Sequence, residues 1–197
     1  MERSDYLVLV NKTNKLPDDF EWKVELVEIK NAFWKIVKIE KETLEKFNAL
    51  RADLLNEDID IEIDSVYRSL AIQKELYDEM CEKYGDEYAW NYAAPAGYSE
   101  HHTWLALDIC IKKNWEFITE NHEMIVELEI FDKIQKKMPE YWFILRYLDW
   151  KESITWYTYE PWHLRYIWDV DIAKEIYEKW VTLEEYLGVV KVDKLLN

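Results

Sequence analysis

The chain has 197 residues, enough for one self-supporting hydrophobic core, and 25 basic against 41 acidic side chains leave a formal charge of −16. That charge repels phosphate backbones and anionic lipid, which argues against nucleic-acid and membrane-surface partners. No apolar run approaches the roughly 18 residues of a membrane span, and "MERSDYLVLVNKTNK" lacks the apolar core of a secretory signal, so the expectation is a cytoplasmic chain as written, or an extracytoplasmic one whose export segment was removed.

In chain order, "YLVLV" at 6–10 reads as a strand and "IEKETLEKFNALRADLL" at 39–55 as an amphipathic helix, with Leu44, Phe47, Leu50, Leu54 and Leu55 at helical spacing. The alternation of "IDIEIDSVY" at 59–67 predicts a strand and "LAIQKELYDEMCEKY" at 70–84 a second helix. Further on, "EMIVELEIFDKIQKKM" reads as helix, "YWFILRYL" and "WHLRYIW" as strands and "DIAKEIYEKW" as helix. Thr182 with Glu185 forms a capping box that opens a short last helix, "LEEYL". Interspersed helices and strands with few parallel crossovers predict an α+β fold, a small mostly antiparallel sheet flanked by helices. No repeat, low-complexity tract or linker divides the chain, so one domain over 1–197, acting as a monomer, is expected. Cys81 and Cys110 fit no thiolate metal pattern and are expected to be buried free thiols.

The stretch "YSEHHTWLALDIC" at 98–110 places His101 and Asp108 seven residues apart. That spacing puts them on opposite faces of an unbroken strand, and the alternation of Leu105, Leu107 and Ile109 favours strand. For both to converge, the segment must turn or bulge near Thr103 and Trp104, where a small residue is expected. Later comes "YEPWHLRY", in which Pro161 keeps Glu160 out of a helix interior, so Glu160 and His163 project from a loop or a strand start. Two histidines and an aspartate suit Zn²⁺ with a fourth position left for water, and an adjacent glutamate can act as general base in amide hydrolysis. Each fragment alone is common by chance; their order is more specific.

In that order, "SVYRS", "SEHHTWLALD" and "EPWHLRY" resemble the zinc D-alanyl-D-alanine carboxypeptidases of the vancomycin-resistance type, within the hedgehog and DD-peptidase fold group. The family pattern is Ser-Gly-Tyr-Arg-Ser, Ser-x-His-x-x-Gly-x-Ala-x-Asp and Glu-x-Trp-His, and the likeness extends through "LVLVNKTNKLP", "FILRY" and "TLEEYL". The resemblance implies His101, Asp108 and His163 as zinc ligands and Glu160 as catalytic base. It implies Arg68 as the clamp for a terminal carboxylate, with Gln73 and Ser99 helping to orient the substrate. His102 falls on a variable position and is read as structural. The implied reaction is attack of metal-activated water on the last peptide bond of a peptidoglycan stem peptide or its precursor, releasing a D-amino acid. An L,D-carboxypeptidase or an endopeptidase on the same substrates shares these motifs. A non-catalytic peptide-binding pseudoenzyme is the reading from another class.

Trp104 stands where that pattern has glycine, as do Trp142, Trp150, Trp156, Trp168 and Trp180; Val66 replaces another glycine. Average usage would give about 14 glycines in a chain of this length, yet there are three, beside 11 tryptophans. Glycine at such places supplies positive φ or close backbone approach, which tryptophan does not. One expectation is a pseudoenzyme whose pocket the indole of Trp104 crowds. The other, which explains the glycine deficit and the tryptophan excess together, is a source genome that reads as glycine a codon here translated as tryptophan.

Overall fold

The computed structural model describes residues 3–17, 24–119 and 121–189. Alternating apolar residues in "LVEIK" and "IVKIE" form a hairpin of β1 (Leu26–Lys30) and β2 (Ile36–Glu40). The chain passes directly into α1 (Lys41–Leu55), whose first turn is capped by the Glu40 carboxylate accepting from the backbone N–H groups of Glu42 and Thr43. Phe47, Leu50 and Leu54 form its buried stripe. β3 (Asp60–Ser65) leads into α2 (Leu70–Tyr84) and, across Gly85 at φ 90°, into α3 (Asp86–Tyr92). A 3₁₀ turn (Glu100–Thr103) precedes β4 (Ala106–Lys113) and the short β5 (Glu116–Ile118). Then come α4 (Asn121–Met124), α5 (Leu128–Lys137), β6 (Phe143–Tyr147), α6 (Glu152–Thr155), β7 (Glu160–Tyr166), α7 (Val170–Lys179) and α8 (Leu183–Tyr186).

The main sheet runs β3-β4-β7-β6 with β5 on β4, and every pairing is antiparallel. Its two central strands carry the chemistry, because register sets Asp108 of β4 directly opposite His163 of β7. All seven residues of β7 are buried, and Leu105, Leu107 and Leu164 pack with Phe47 and Phe131 in the principal core. A second cluster of Ile144, Ile167, Ala173, Ile176 and Leu183 fastens α7 and α8 to the far side of β6. The fold is the expected α+β arrangement with an antiparallel sheet.

Some sequence expectations are corrected. Residues 6–10 join no ladder: Arg3–Leu7 is a 3₁₀ turn, and the carbonyls of Tyr6 and Val8 accept instead from the Arg165 guanidinium. The helix expected from 39 begins at Lys41, since 36–40 belong to the hairpin, which the period-2 pattern could have shown. The helix expected over 123–138 is two pieces, α4 and α5, and the strand expected from 141 starts at Phe143 because Tyr141 closes a 3₁₀ turn. The Thr182–Glu185 capping box forms as expected. Both cysteines are free; Cys110 is buried, but Cys81 is only partly so.

The tryptophans divide sharply. Trp104, Trp142, Trp150, Trp156, Trp168 and Trp180 all lie in the left-handed region, at φ between 51° and 68°, and Trp34 and Trp115 join them at 63° and 71°. Among the described residues only Asp58 and Asn114, types that tolerate this conformation, are other non-glycine residues with positive φ. Four of the tryptophans cap helical turns at their C-terminal ends, where glycine is the usual occupant. The backbone at these positions has the conformation that glycine adopts most readily.

Candidate metal and catalytic site

The turn required between His101 and Asp108 is present. The Ser99 hydroxyl accepts from the His101 backbone N–H at 3.3 Å and caps the 3₁₀ turn, Trp104 reverses the chain at φ 62°, and β4 then carries Asp108 inward. The indole of Trp104 does not crowd this site: it stacks on Tyr67 with centroids 3.5 Å apart and lines a separate cavity with Lys15, Leu16 and Gly97.

His101 Nδ1 donates to the Val66 carbonyl at 2.6 Å, which fixes the ring and leaves Nε2 as the free acceptor. That Nε2 is buried without a hydrogen bond and lies 3.1 Å from Asp108 Oδ2. His163 Nδ1 lies 2.8 Å from Asp108 Oδ1, and the two imidazoles meet edge to face with centroids 5.0 Å apart. One ligand atom from each of His101, Asp108 and His163 falls within 4.8 Å of the others. Two nitrogens and a carboxylate oxygen converging in a buried pocket, one nitrogen orphaned, fit a Zn²⁺ site with an open position.

Burial is the largest single influence on the electrostatics of the site. Burial pulls the His101 ring down to about 4, aided by the Arg68 charge, so it is neutral and ready to ligate. Burial opposes charge on His163 as well, but the Asp108 and Glu100 carboxylates, facing its two ring nitrogens as acceptors, outweigh it and raise the ring to about 9. Burial likewise works against the Asp108 carboxylate, yet the two histidines hold it well below its ordinary range. Glu160, at the buried start of β7, is pushed up to about 8, first by burial and then by the Asp108 charge, against the pull of His163, Arg68 and Lys12. A carboxyl poised near neutrality at the edge of a metal pocket is suited to proton transfer.

Arg68 reaches this pocket from the loop after β3. Its Nε donates to Ser65 Oγ, Nη1 to Gln73 Oε1 at 3.0 Å and Nη2 to Asp108 Oδ2 at 3.0 Å, leaving two of its five N–H groups uncommitted. Gln73 is fully buried behind it and donates to the Ala94 carbonyl; it holds Arg68 and does not line the cavity. Ser99 does line it. His102 points elsewhere, its ring bridging the Gly97 N–H and the Arg68 carbonyl. The cavity, about 180 Å³, is walled by Arg68, His101, Asp108, Glu160 and His163 with Tyr147 and Tyr157, whose rings stack 4.0 Å apart.

One residue that matters here was not singled out from the sequence. Glu100 is completely buried, with Oε1 accepting from Arg146 Nε at 2.8 Å and Arg165 Nη1 at 2.6 Å. Its Oε2 lies 3.5 Å from His163 Nε2, and neither atom has another partner. Burial penalises the charge, but the two guanidiniums outweigh it and keep Glu100 ionised. Arg146 in turn forks onto Glu184 of α8, which also accepts from Asn11. A carboxylate facing the far nitrogen of a ligating imidazole orients the ring and raises its basicity. The available sequence signal was Arg146 and Arg165 embedded in the apolar strands "FILRY" and "HLRY", since buried guanidiniums require buried carboxylates.

Comparison with known proteins identifies a family and a shared fold. The family model VanY, D-alanyl-D-alanine carboxypeptidase, matches residues 36–169. A D-alanyl-D-alanine carboxypeptidase of Enterococcus faecium is 32% identical over 165 residues, covering 82% of this chain but 48% of that protein. Among solved structures, the L,D-carboxypeptidase LdcB superposes with a TM-score of 0.80 at 34% identity, covering 96% of this chain and 88% of that one. The vancomycin-resistance D,D-pentapeptidase VanY in complex with Zn(II) superposes at 0.78 and 28% identity, covering 93% and 99%.

Proposed function

This chain belongs to the VanY family of D-alanyl-D-alanine carboxypeptidases, and on that footing we propose that it removes the C-terminal D-amino acid from peptidoglycan stem peptides in a zinc-dependent reaction. The observation that carries the reading is the convergence of His101, Asp108 and His163 within 4.8 Å beside a buried Glu160. His101 Nε2, an Asp108 oxygen and His163 Nδ1 would hold the ion, with Glu100 fixing the His163 ring from behind. When bound, zinc supplies Lewis acidity toward the scissile carbonyl and toward water.

The chain's own residues do the rest. Glu160 takes the proton of the attacking water, and, as its pKa near neutrality allows, returns it to the departing amine. Arg68, pinned by Ser65, Gln73 and Asp108, presents its two uncommitted N–H groups to the terminal carboxylate, which selects the end of a peptide. Ser99 at the cavity wall is placed to bond the peptide backbone. Tyr147 and Tyr157 close one wall, and removing water there strengthens every charge interaction inside.

A second reading within the same chemistry has its own support: the 0.80 superposition is with an L,D-carboxypeptidase. Incubating the zinc-loaded protein separately with a pentapeptide ending in D-Ala-D-Ala and with the corresponding tetrapeptide, and identifying products by mass, decides between them. Release of D-alanine from the pentapeptide supports the D,D reading and release from the tetrapeptide alone the L,D one. Cleavage of neither peptide contradicts both.

A further inference from the structure

The catalytic cavity does not end at the catalytic residues. Met80, Tyr92, Asn121 and Trp162 are shared with a second, larger hollow of about 650 Å³ that opens toward the end of α2. Along its floor Tyr84, Tyr88 and Tyr92 recur every four residues across the α2–α3 junction, their rings 4.6 and 4.5 Å apart. Tyr84 and Tyr88 are 51% and 36% exposed, and the Lys83 ammonium lies 4.8 Å from the Tyr84 ring centroid, so the ladder offers accessible aromatic surface at the rim of the hollow. Polar side chains line it too, Asn121, His122 and Thr158 among them, and the Thr158 hydroxyl is buried without a partner. Among the described residues no Lys, Arg, Asp or Glu lines the hollow, which disfavours a charged occupant.

We propose that this tyrosine ladder is a sugar-binding subsite, seating the acylated amino-sugar from which the stem peptide hangs. The inference rests on the substrate reading above. A pyranose ring presents flat C–H faces to aromatic rings and hydroxyls to their rims, which suits a row of amphipathic aromatics beside hydrogen-bonding side chains. Continuity with the catalytic cavity gives the ladder a task, since binding energy from a remote part of the substrate can be used to hold the reacting end in place.

The test compares a sugar-bearing pentapeptide with the same pentapeptide bare. Affinity is measured by calorimetry on zinc-loaded Glu160→Gln protein and turnover on the parent. The sugar should tighten binding roughly tenfold, the scale of one good ring contact, and Tyr84→Ala with Tyr88→Ala should abolish that gain while leaving the bare peptide's kinetics unchanged. Tyr84→Phe with Tyr88→Phe, which keeps the rings, should retain most of it. Equal affinity for the two peptides, or a sugar advantage that survives the alanine pair, overturns the proposal. If neither peptide is cleaved the reaction assigned above fails, but the affinity comparison still decides the ladder, with tighter binding of the sugar form supporting it and equal or absent binding overturning it.

Discussion

Trp162 lies inside β7 with 5% of its surface exposed, in the strand that presents His163; Trp150 stands on a turn nearby at φ 65°, 85% exposed. The first is placed by packing, and its side chain is part of the core. The second is placed by a backbone that needs a left-handed residue, and its indole makes little use of the space around it. The same contrast separates the two regions of the molecule. His101 on its 3₁₀ turn, Asp108 on β4 and Glu160 and His163 on β7 are buried or nearly so and converge on one pocket. The turns that frame them carry tryptophan in eight places where the backbone geometry is glycine's. The lesson is that the chemistry of the site and the fitness of its scaffold are separable properties, and that the mismatch lies in the scaffold.

The contrast between buried strand and exposed turn can be tested at both ends. The largest effect should fall in the buried region: Glu160→Gln should lower turnover by about 10² to 10⁴-fold while zinc stays bound; a near-normal rate with zinc in place would place the base elsewhere. Trp162→Gly should cost about 3–5 kcal/mol, the scale of emptying a large aromatic site, measured by denaturant unfolding. Glu100→Gln should weaken zinc binding by about 10- to 100-fold, because it loosens the partner of His163 Nε2, while Glu175→Gln, on an exposed ion pair, should change nothing measurable.

At the other extreme, Trp34→Gly, Trp115→Gly and Trp150→Gly should each stabilise the protein by up to about 1 kcal/mol, since relief of a left-handed penalty of about 1–2 kcal/mol exceeds the entropy glycine adds to the unfolded chain. Trp142 and Trp168 should gain less, because their rings pack against the core and Trp168 Nε1 bonds Glu42. If the exposed three destabilise instead, the indoles belong to the native surface. The recoding expectation, made for six tryptophans and extended to Trp34 and Trp115 by their positive φ, makes a matching statement about the gene: codons other than TGG at these eight positions and TGG at Trp90 and Trp162. TGG throughout would end it.

Protonation offers a further test. Folded His163 at about 9 and Glu160 at about 8 both hold their protons more tightly than the unfolded chain does. The zinc-free protein therefore carries their full contribution only at low pH, below about 4 for Glu160 and about 6 for His163, and loses it as pH rises through 8 to 9. Zinc must displace the His163 proton, so its apparent affinity should rise with pH up to about 9. Thermal melts with and without zinc across this range should diverge as pH increases; a constant gap would contradict the assignment.

Much of the fold could be read from the chain because its signals are local. The helix at 70–84, the capping box at Thr182 and the turn forced between His101 and Asp108 each follow from a short run of residues. The hairpin at 26–40 was missed because its second strand runs without a break into α1. The strand expected at 6–10 failed for a non-local reason, since Arg165, far along the chain, takes its carbonyls. Glu100 escaped notice similarly: beside a histidine it looks like any surface acid, and only the folded sheet brings Arg146, Arg165 and His163 around it.

The most direct measurement is zinc stoichiometry on purified protein, parent and His163→Ala side by side, after dialysis against a weak chelator. One zinc per chain in the parent and none retained by His163→Ala is the predicted result. A parent without zinc, or a variant that holds it as tightly, would contradict the metal site and the reaction built on it.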